Sequence, residues 1–318
     1  MKTQNNPKDF DYFFNWREIY RFNSIGSCSH FIHSHCVSGS RDGRPDWVKT
    51  IGEGSGEGLF GPNSAVWQVH GTIATLVGGV RALLLQAAHP APLSGVAEHS
   101  RYETDPLGRL VGTTRWLTVT TFAAEEVINR EAARVNAMHD HVKGNFTDKH
   151  GESQSYKAKD PRFLLWVHCA FTDSFLKAHL ALGYPIDKGA DAYVAEWSKS
   201  AIPLGLTDAP MSVAELEATL DDFRANDLMH AQLTDDVVRF ILNPPFGGAG
   251  KFFYKVIANA AIATLDQREL DLLGLPRRSK VWLRISRMSL DIFLAILGPE
   301  PPAMQVARER IASGTINP

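Results

Sequence analysis

Apolar residues recur at three- and four-residue intervals along most of this chain, and that spacing is typical of amphipathic helices. The clearest segment lies between Ala124 and Gly144. Its apolar face consists of Ile128, Val135, Met138, His139 and Val142. Glu125, Arg130 and Arg134 lie off that face, where they can meet water or a polar cofactor edge. We therefore predict one helix over residues 124–142, ended by Gly144.

Helical signals continue towards the C-terminus. Asp160 and Pro161 suit the N-cap and first position of a helix that extends to about Leu182. Further helices are predicted at about 187–200, 212–222, 235–242, 251–264, 279–296 and 302–312. Sustained alternation of apolar and polar residues, which marks a half-buried strand, is hard to find anywhere. The pattern indicates an all-α fold.

Two breaks bear on domain organisation. Residues 1–57 are predicted to form a loosely structured N-terminal extension, which ends in the glycine-rich run Gly52-Glu-Gly-Ser-Gly-Glu-Gly58. Pro244-Pro-Phe-Gly-Gly-Ala-Gly250 is the strongest internal break, but the amphipathic helices after it need a surface to bury against. We therefore predict a single-domain helical bundle over residues 58–318.

Composition narrows the function. The chain has 318 residues, 44% of them hydrophobic, and a formal charge of −2, which favours neither nucleic-acid binding nor a disordered chain. The first residues lack the apolar core of a secretion signal, and the longest apolar run, Thr72 to Leu85, is interrupted by Arg81. Three cysteines are too few for a disulfide framework. We expect a soluble, cytoplasmic protein with no transmembrane segment and a small-molecule partner.

A series of short motifs begins at Gly58 and continues past Gly144. In order they are Gly58-Leu-Phe-Gly-Pro62, Gln86-Ala-Ala-His89-Pro90, Asp105-Pro106-Leu-Gly-Arg109-Leu-Val-Gly112-Thr113, His139-Asp-His-Val142-Lys143-Gly144, Tyr156-Lys-Ala-Lys-Asp160-Pro161 and Trp166-Val-His168. This ordered set resembles the haem family of the MpaB-type oxygenases and latex clearing protein, over roughly residues 55–290.

The resemblance implies a helical bundle that encloses one b-type haem (heme b). In the family, the histidine of a His-x-x-Val motif is the proximal iron ligand and a basic residue follows one turn later, which here gives His139 and Lys143. Imidazole suits haem iron, and an ammonium group suits a propionate. We expect both side chains to share one helix face. On periodicity alone, His139 is more often a hydrogen-bonded core histidine than a ligand.

The resemblance also places Arg109 and Thr113 over the distal side of the haem. Four residues apart on a helix, they share a face and can hydrogen-bond to dioxygen as it gains negative charge. Taken alone, Asp105-Pro106 is a helix cap and Arg109 a solvated or salt-bridged surface residue. Latex clearing protein has a lysine immediately before the threonine, whereas this chain has Gly112. A distal lysine ligand is therefore not expected here.

Three further histidines lie in or beside these motifs. His89 is either a base or proton donor in the distal pocket or a residue that bonds a free carbonyl where Pro90 ends a helix. His168 lies in a very apolar stretch and is expected to line the pocket or serve the core, not to bind iron. His141 points away from the apolar face and is expected to face solvent.

The segment Cys28-Ser-His30-Phe-Ile-His33-Ser-His35-Cys36 contains enough thiols and imidazoles to assemble a zinc site. Its spacing matches no common zinc finger, however, and the second pair of ligands is missing. A segment that captures metal adventitiously is the better interpretation.

The reaction implied by the resemblance is oxidation of a small apolar substrate by dioxygen, such as cleavage of an isoprenoid or alkene double bond. The sequence lacks the motifs of hydrolases, dinucleotide oxidoreductases, phosphoryl-transfer enzymes and ferritin-like di-iron proteins. The alternative function is a haem-binding sensor, carrier or storage protein that uses the same pocket without turnover.

Overall fold

The computed structural model describes residues 46–99, 106–244 and 248–314, with side chains described except at positions 46, 95–99, 106–111, 249 and 296–297. Fourteen α-helices and one two-stranded sheet form these ranges, so the prediction of a mostly all-α fold is confirmed. The helices are α1 (Asp46–Lys49), α2 (Ala65–His70), α3 (Thr75–Gln86), α4 (Pro90–His99), α5 (Pro106–Phe122), α6 (Glu125–His139), α7 (Pro161–Ala181), α8 (Gly189–Trp197), α9 (Val213–Asn226), α10 (Gln232–Leu242), α11 (Gly248–Ala263), α12 (Gln267–Leu272), α13 (Val281–Leu297) and α14 (Pro302–Gly314). The strands are β1 (Lys143–Thr147) and β2 (Ser153–Lys157), and two 3₁₀ helices span Thr50–Gly52 and Ser198–Leu204.

Helix α7 begins where the sequence predicts it. The Asp160 carboxylate accepts a hydrogen bond of 2.9 Å from the backbone N–H of Arg162, and Pro161 occupies the first turn, where its missing N–H costs nothing. The Ser212 hydroxyl likewise caps α9 by accepting from the backbone N–H of Glu215. Local cap chemistry thus fixes the start of both helices.

Helix α3 is the central element of the core, and it packs along α7 with α10 and α11 also against it. The close approach to α7 depends on Gly78, because a methyl group there would lie 2.6 Å from Cδ1 of Phe175. Arg81 on the same helix is fully buried and pairs with Asp173 at 2.6 Å and Glu269 at 2.8 Å. These ion pairs join α3 to α7 and α12, and removal of one partner would leave a buried charge uncompensated.

The hairpin is the main departure from the expected elements. Helix α6 ends at His139, and the antiparallel strands pair Gly144 with Tyr156. The predicted helix through Val142 with a stop at Gly144 is therefore wrong. The hairpin forms because Tyr156 is buried in a small apolar cluster that it shares with Phe163 of α7.

Part of the predicted N-terminal extension packs on the helical body. Ile51 is fully buried in the main core, and its carbonyl accepts a hydrogen bond from Nη1 of Arg310 on α14. Residues 1–45 lie outside the described ranges, and with them the Cys28–Cys36 segment. Throughout the part of the chain that the structure describes, every helix is too short or too polar to traverse a bilayer.

Candidate functional site

A cavity of about 490 Å³ lies between α5, α6, α7 and the 3₁₀ helix Ser198–Leu204. This volume is within the range of small-molecule sites. Its wall is mostly aromatic and aliphatic, and no aspartate or glutamate of the described residues lines it. The cavity therefore suits an apolar guest, and its few polar side chains mark the places where chemistry can occur.

Helix α6 contributes a polar edge to this wall. Arg134, Val135, Met138 and His139 line the cavity, with spacing that puts them on one side of the helix. His139 is the last residue of α6 and is half-buried. The Asn136 side chain donates a hydrogen bond of 3.1 Å to the Pro203 carbonyl, which fixes α6 against the 3₁₀ helix that forms another wall.

Arg134 is the one cation among the described residues that line the cavity. It shares the buried carboxylate of Glu131 with Arg115, at distances of 2.6 Å from Arg134 and 2.7 Å from Arg115. Burial on its own raises the pKa of Glu131, but hydrogen bonds from Arg134 and Arg115 outweigh it and lower the pKa below the usual value. Glu131 therefore stays ionised and orients the Arg134 guanidinium at the cavity wall.

Helix α5 forms a second wall with Gly112, Thr113, Trp116 and Leu117. A methyl group added at Gly112 would meet nothing within 4 Å, so the glycine leaves open space there. Arg109 precedes Thr113 by one turn of the same helix, and its side chain lies outside the described residues. The structure thus brings Thr113 to the cavity with His139 and leaves the position of the Arg109 guanidinium undescribed.

Helix α7 supplies His168 to a third, otherwise apolar wall. Burial lowers the pKa of this histidine to about 4, so its imidazole is neutral at physiological pH. Its Nε2 is buried and has no hydrogen-bond partner among the described residues. The sequence leaves a pocket-lining and a structural role open for His168, and the structure places the residue in the cavity wall.

His89 is not among the residues that line the cavity, although its ring packs edge-on against Phe163, which does line it. Its ring is 1% exposed, and its Nδ1 accepts a hydrogen bond of 3.3 Å from the backbone N–H of Ala91. Burial, with a smaller effect from the Arg162 charge, lowers the pKa of His89 to about 3. The residue therefore caps α4, which begins at Pro90, so the expected bond to a free carbonyl at a helix end is not formed. Its Nε2 is buried without a hydrogen-bond partner among the described residues, and the distal role stays a prediction.

Lys143 also lies elsewhere than predicted. It is the exposed first residue of β1, is not among the residues that line the cavity, and does not share a helix face with His139, because α6 ends at His139. The expected pairing of these two residues on one helix is wrong. His141 lies in the turn between α6 and β1 and is exposed, as predicted.

Several cavity residues had no sequence prediction. Trp116, Trp197 and Ser200 line the wall but belong to no motif. Trp116 follows Thr113 by three residues, so helical spacing alone can find it. Trp197 and Ser200 carry no such signal, since they come from a distant part of the chain. Trp197 is 2% exposed, and its ring packs edge-on against the ring of His70 with the centroids 4.4 Å apart.

Among the described residues, no group of three or more His, Cys, Asp and Glu side chains could hold a metal ion. Cys169, on α7, is the only cysteine there. Burial raises the pKa of its thiol to about 12, which keeps it protonated and unreactive.

The chain matches a known protein family. The sequence model of the family described as "ER-bound oxygenase mpaB/B'/Rubber oxygenase, catalytic domain" matches residues 67–296, well over half of the chain. All residues that line the cavity fall inside this range. No curated protein matches the chain in sequence.

Proposed function

The chain belongs to the family of mpaB-type and rubber oxygenase catalytic domains, and on this premise we propose that it is a haem-dependent oxygenase of a small apolar substrate. The observation that carries the proposal is the position of His139 in the wall of a mostly apolar cavity. Membership of the family supports oxygenase chemistry in general. The cofactor, the substrate class and the roles of individual residues are our proposals.

The donor groups at the cavity fit a haem. An imidazole is a common axial ligand of haem iron, and His139 supplies one. Propionates need a cationic partner near solvent, and the side chain of Arg134 is 43% exposed while it lines the cavity. A macrocycle needs apolar contact on both faces, which the aromatic and aliphatic walls provide. Arg134 replaces Lys143 as our choice for the propionate partner.

Bound haem iron would supply the activation of dioxygen, which no side chain can perform alone. The protein would hold that group through His139, orient it through Arg134 and keep bulk water away with its apolar walls. Thr113 offers a hydroxyl inside the cavity, where it can donate a hydrogen bond to an oxygen atom that gains charge. We propose Arg109, one turn earlier, as a second donor.

The walls also bear on the substrate. Phe163, Val167, Phe171 and Leu206 present only carbon to the cavity, and the polar atoms near them are few. Such walls favour a hydrocarbon chain over a sugar, nucleotide or peptide, since unpaired polar groups are costly to bury. An isoprenoid or another alkene is the substrate class that we propose.

Oxygen uptake tests the function. The haem-loaded protein should consume dioxygen only when an alkene or isoprenoid is added, and His139→Ala should abolish that uptake. The variant His141→Ala, two residues away and exposed, is the matched control and should behave like wild type. Haem binding without uptake across a broad panel of apolar substrates would instead support the sensor, carrier or storage alternative.

A further inference from the structure

Helix α13 has a row of exposed apolar side chains. Val281, Ile285, Met288 and Ile292 are 49%, 38%, 66% and 61% exposed, and they follow one another at four-, three- and four-residue intervals. This spacing puts them on one side of the helix. Single exposed apolar residues are ordinary on protein surfaces, but a continuous row marks an interaction site.

Helix α11 packs against α13 and has an exposed apolar residue of its own. Its Phe252 is 73% exposed, more than any other large apolar residue of the described ranges. The two helices are joined by Phe253 and Phe293, whose rings stack with centroids 5.2 Å apart. Phe252 and Ile292 immediately precede these rings, so they lie at the same level of the helix pair. We call Phe252 with the four residues of α13 the apolar face.

Cations surround the apolar face. Lys251 and Lys255 flank Phe252 on α11, and Arg284 lies between Val281 and Ile285 on α13. Further exposed cations just before α13 are Arg277, Arg278 and Lys280. Lys251, Lys255, Arg278, Lys280 and Arg284 form no ion pair with any residue that the structure describes. The surface is therefore both apolar and positively charged.

Negative charge on this surface is already compensated. Asp291 is the only carboxylate on the described part of α13, and it pairs with Arg287 at 3.0 Å. The remaining cations therefore have no further carboxylate on the described part of α13 to pair with. A partner that satisfies this surface must offer apolar volume and negative charge side by side.

We propose that this face docks the protein onto an anionic phospholipid bilayer, with α13 lying along the membrane surface. Apolar side chains of an interfacial helix enter the boundary between headgroups and acyl chains, while lysine and arginine reach the phosphates. Phe252, Met288 and Ile292 are exposed enough to do so without any change of fold. The proposal does not depend on the reaction at the cavity.

Two other occupants fit less well. A second copy of this chain in a twofold dimer would set the same cations against each other, at a cost in repulsion. Residues 1–45 contain six lysines and arginines against four aspartates and glutamates, so this segment brings net positive charge to a positive surface. Only an anionic partner complements both properties of the face.

Co-sedimentation of the full chain with lipid vesicles tests the proposal. We expect binding to phosphatidylcholine vesicles that contain phosphatidylglycerol, weaker binding to phosphatidylcholine alone, and loss of binding in high salt. Each cation near an anionic surface contributes about fivefold to partitioning, so Lys280→Glu with Arg284→Glu should weaken it by tenfold or more.

Variants of the apolar residues separate membrane docking from simple charge attraction. Met288→Ser with Ile292→Ser should weaken vesicle binding by about tenfold or more, because both methyl-rich side chains leave the acyl boundary. Ile202→Ser is the matched apolar control, since Ile202 is 59% exposed elsewhere on the surface. Lys199→Glu is the matched charge control at another exposed position. Circular dichroism checks that all variants fold.

Four results would overturn the proposal. The first is the absence of wild-type binding to anionic vesicles, and the second is an equal loss of binding in the controls and in the face variants. The third is a wild-type dimer, seen by light scattering, that Met288→Ser with Ile292→Ser dissociates. The fourth is binding to heparin that is as tight as binding to vesicles and that the apolar variants do not change. The third result would identify a second copy as the occupant, and the fourth a soluble polyanion.

Discussion

At the scale of single residues, Thr113 and Arg109 lie one turn apart on α5, and Thr113 lines the cavity. A preorganised donor that stabilises developing charge typically contributes about a hundredfold in rate. Arg109→Ala should therefore keep near-normal haem content and lose about that factor in oxygen uptake. Absorbance of bound haem and an oxygen electrode measure the two quantities. If Arg109→Ala loses haem as fully as His139→Ala, the residue anchors the cofactor or the fold.

Arg134 and Arg115 form a natural matched pair, because both bind the buried carboxylate of Glu131 but only Arg134 lines the cavity. Hydrogen bonds to a charged group contribute about 1.5–3 kcal/mol, so Arg134→Met should weaken haem affinity by about tenfold or more. Arg115→Met should weaken haem affinity by a smaller factor. Haem titration followed by absorbance measures both. Equal losses in the two variants would mean that both arginines act only through Glu131.

At the scale of elements, the packing of α3 on α7 makes adjacent glycines respond in opposite ways. A methyl group at Gly78 would lie 2.6 Å from the Phe175 ring and 3.1 Å from its Cα, whereas one at Gly79 meets nothing within 4 Å. Gly78→Ala should cost about 1–3 kcal/mol of unfolding free energy through overpacking. Gly79→Ala should raise the free energy of unfolding by up to about 1 kcal/mol, because alanine has the higher helix propensity. Urea unfolding measures both, and a neutral Gly78→Ala would contradict the close helix contact.

The elements also show what periodicity can and cannot predict. Helices α7, α11 and α13 follow apolar spacing, and Asp160 caps α7, so the existence of these helices was predictable from sequence. The hairpin was not, because its strands are mostly exposed and Tyr156 is the only buried residue in them. Because apolar and polar residues do not alternate there, the sequence does not predict a strand. The helical spacing continues past His139, into residues that form the turn and the first strand of the hairpin.

At the scale of the whole molecule, the cavity depends on contacts between segments that are far apart in sequence. Its walls come from around Gln86, from 112–117, 134–142, 156–171 and 197–206. The motif pattern predicted Thr113, His139 and His168 at one pocket. The capping role of His89 and the end of α6 before Lys143 depend on backbone geometry, which one residue pattern does not determine.

Buried histidines give the haem-free protein a predicted pH dependence. The pKa of His168 falls from 6.5 to about 4 on folding, so between these values the unfolded chain binds a proton that the folded chain does not. The free energy of unfolding therefore has its full value above pH 6.5. It declines as the pH falls below that value, by about 1.4 kcal/mol per pH unit for each such group. His70 and His89, with pKa values lowered to about 3, add to this effect.

The variant His168→Leu removes one of these protons. Its unfolding free energy, from urea titrations between about pH 6 and pH 5, should fall less steeply with pH than that of wild type, by about 1.4 kcal/mol per unit. Identical slopes would mean that His168 takes up its proton in the folded chain as readily as in the unfolded chain, which conflicts with its burial in the cavity wall.

The central claim is that His139 holds a haem in the cavity, and the absorption spectrum of the purified, haem-supplemented protein tests it most directly. Wild type and His141→Ala should show the same Soret band, and His139→Ala should lose or shift that band and release haem during gel filtration. Circular dichroism confirms that the variant folds. An unchanged Soret band and full haem retention in His139→Ala would contradict the claim and make His168 the next residue to test.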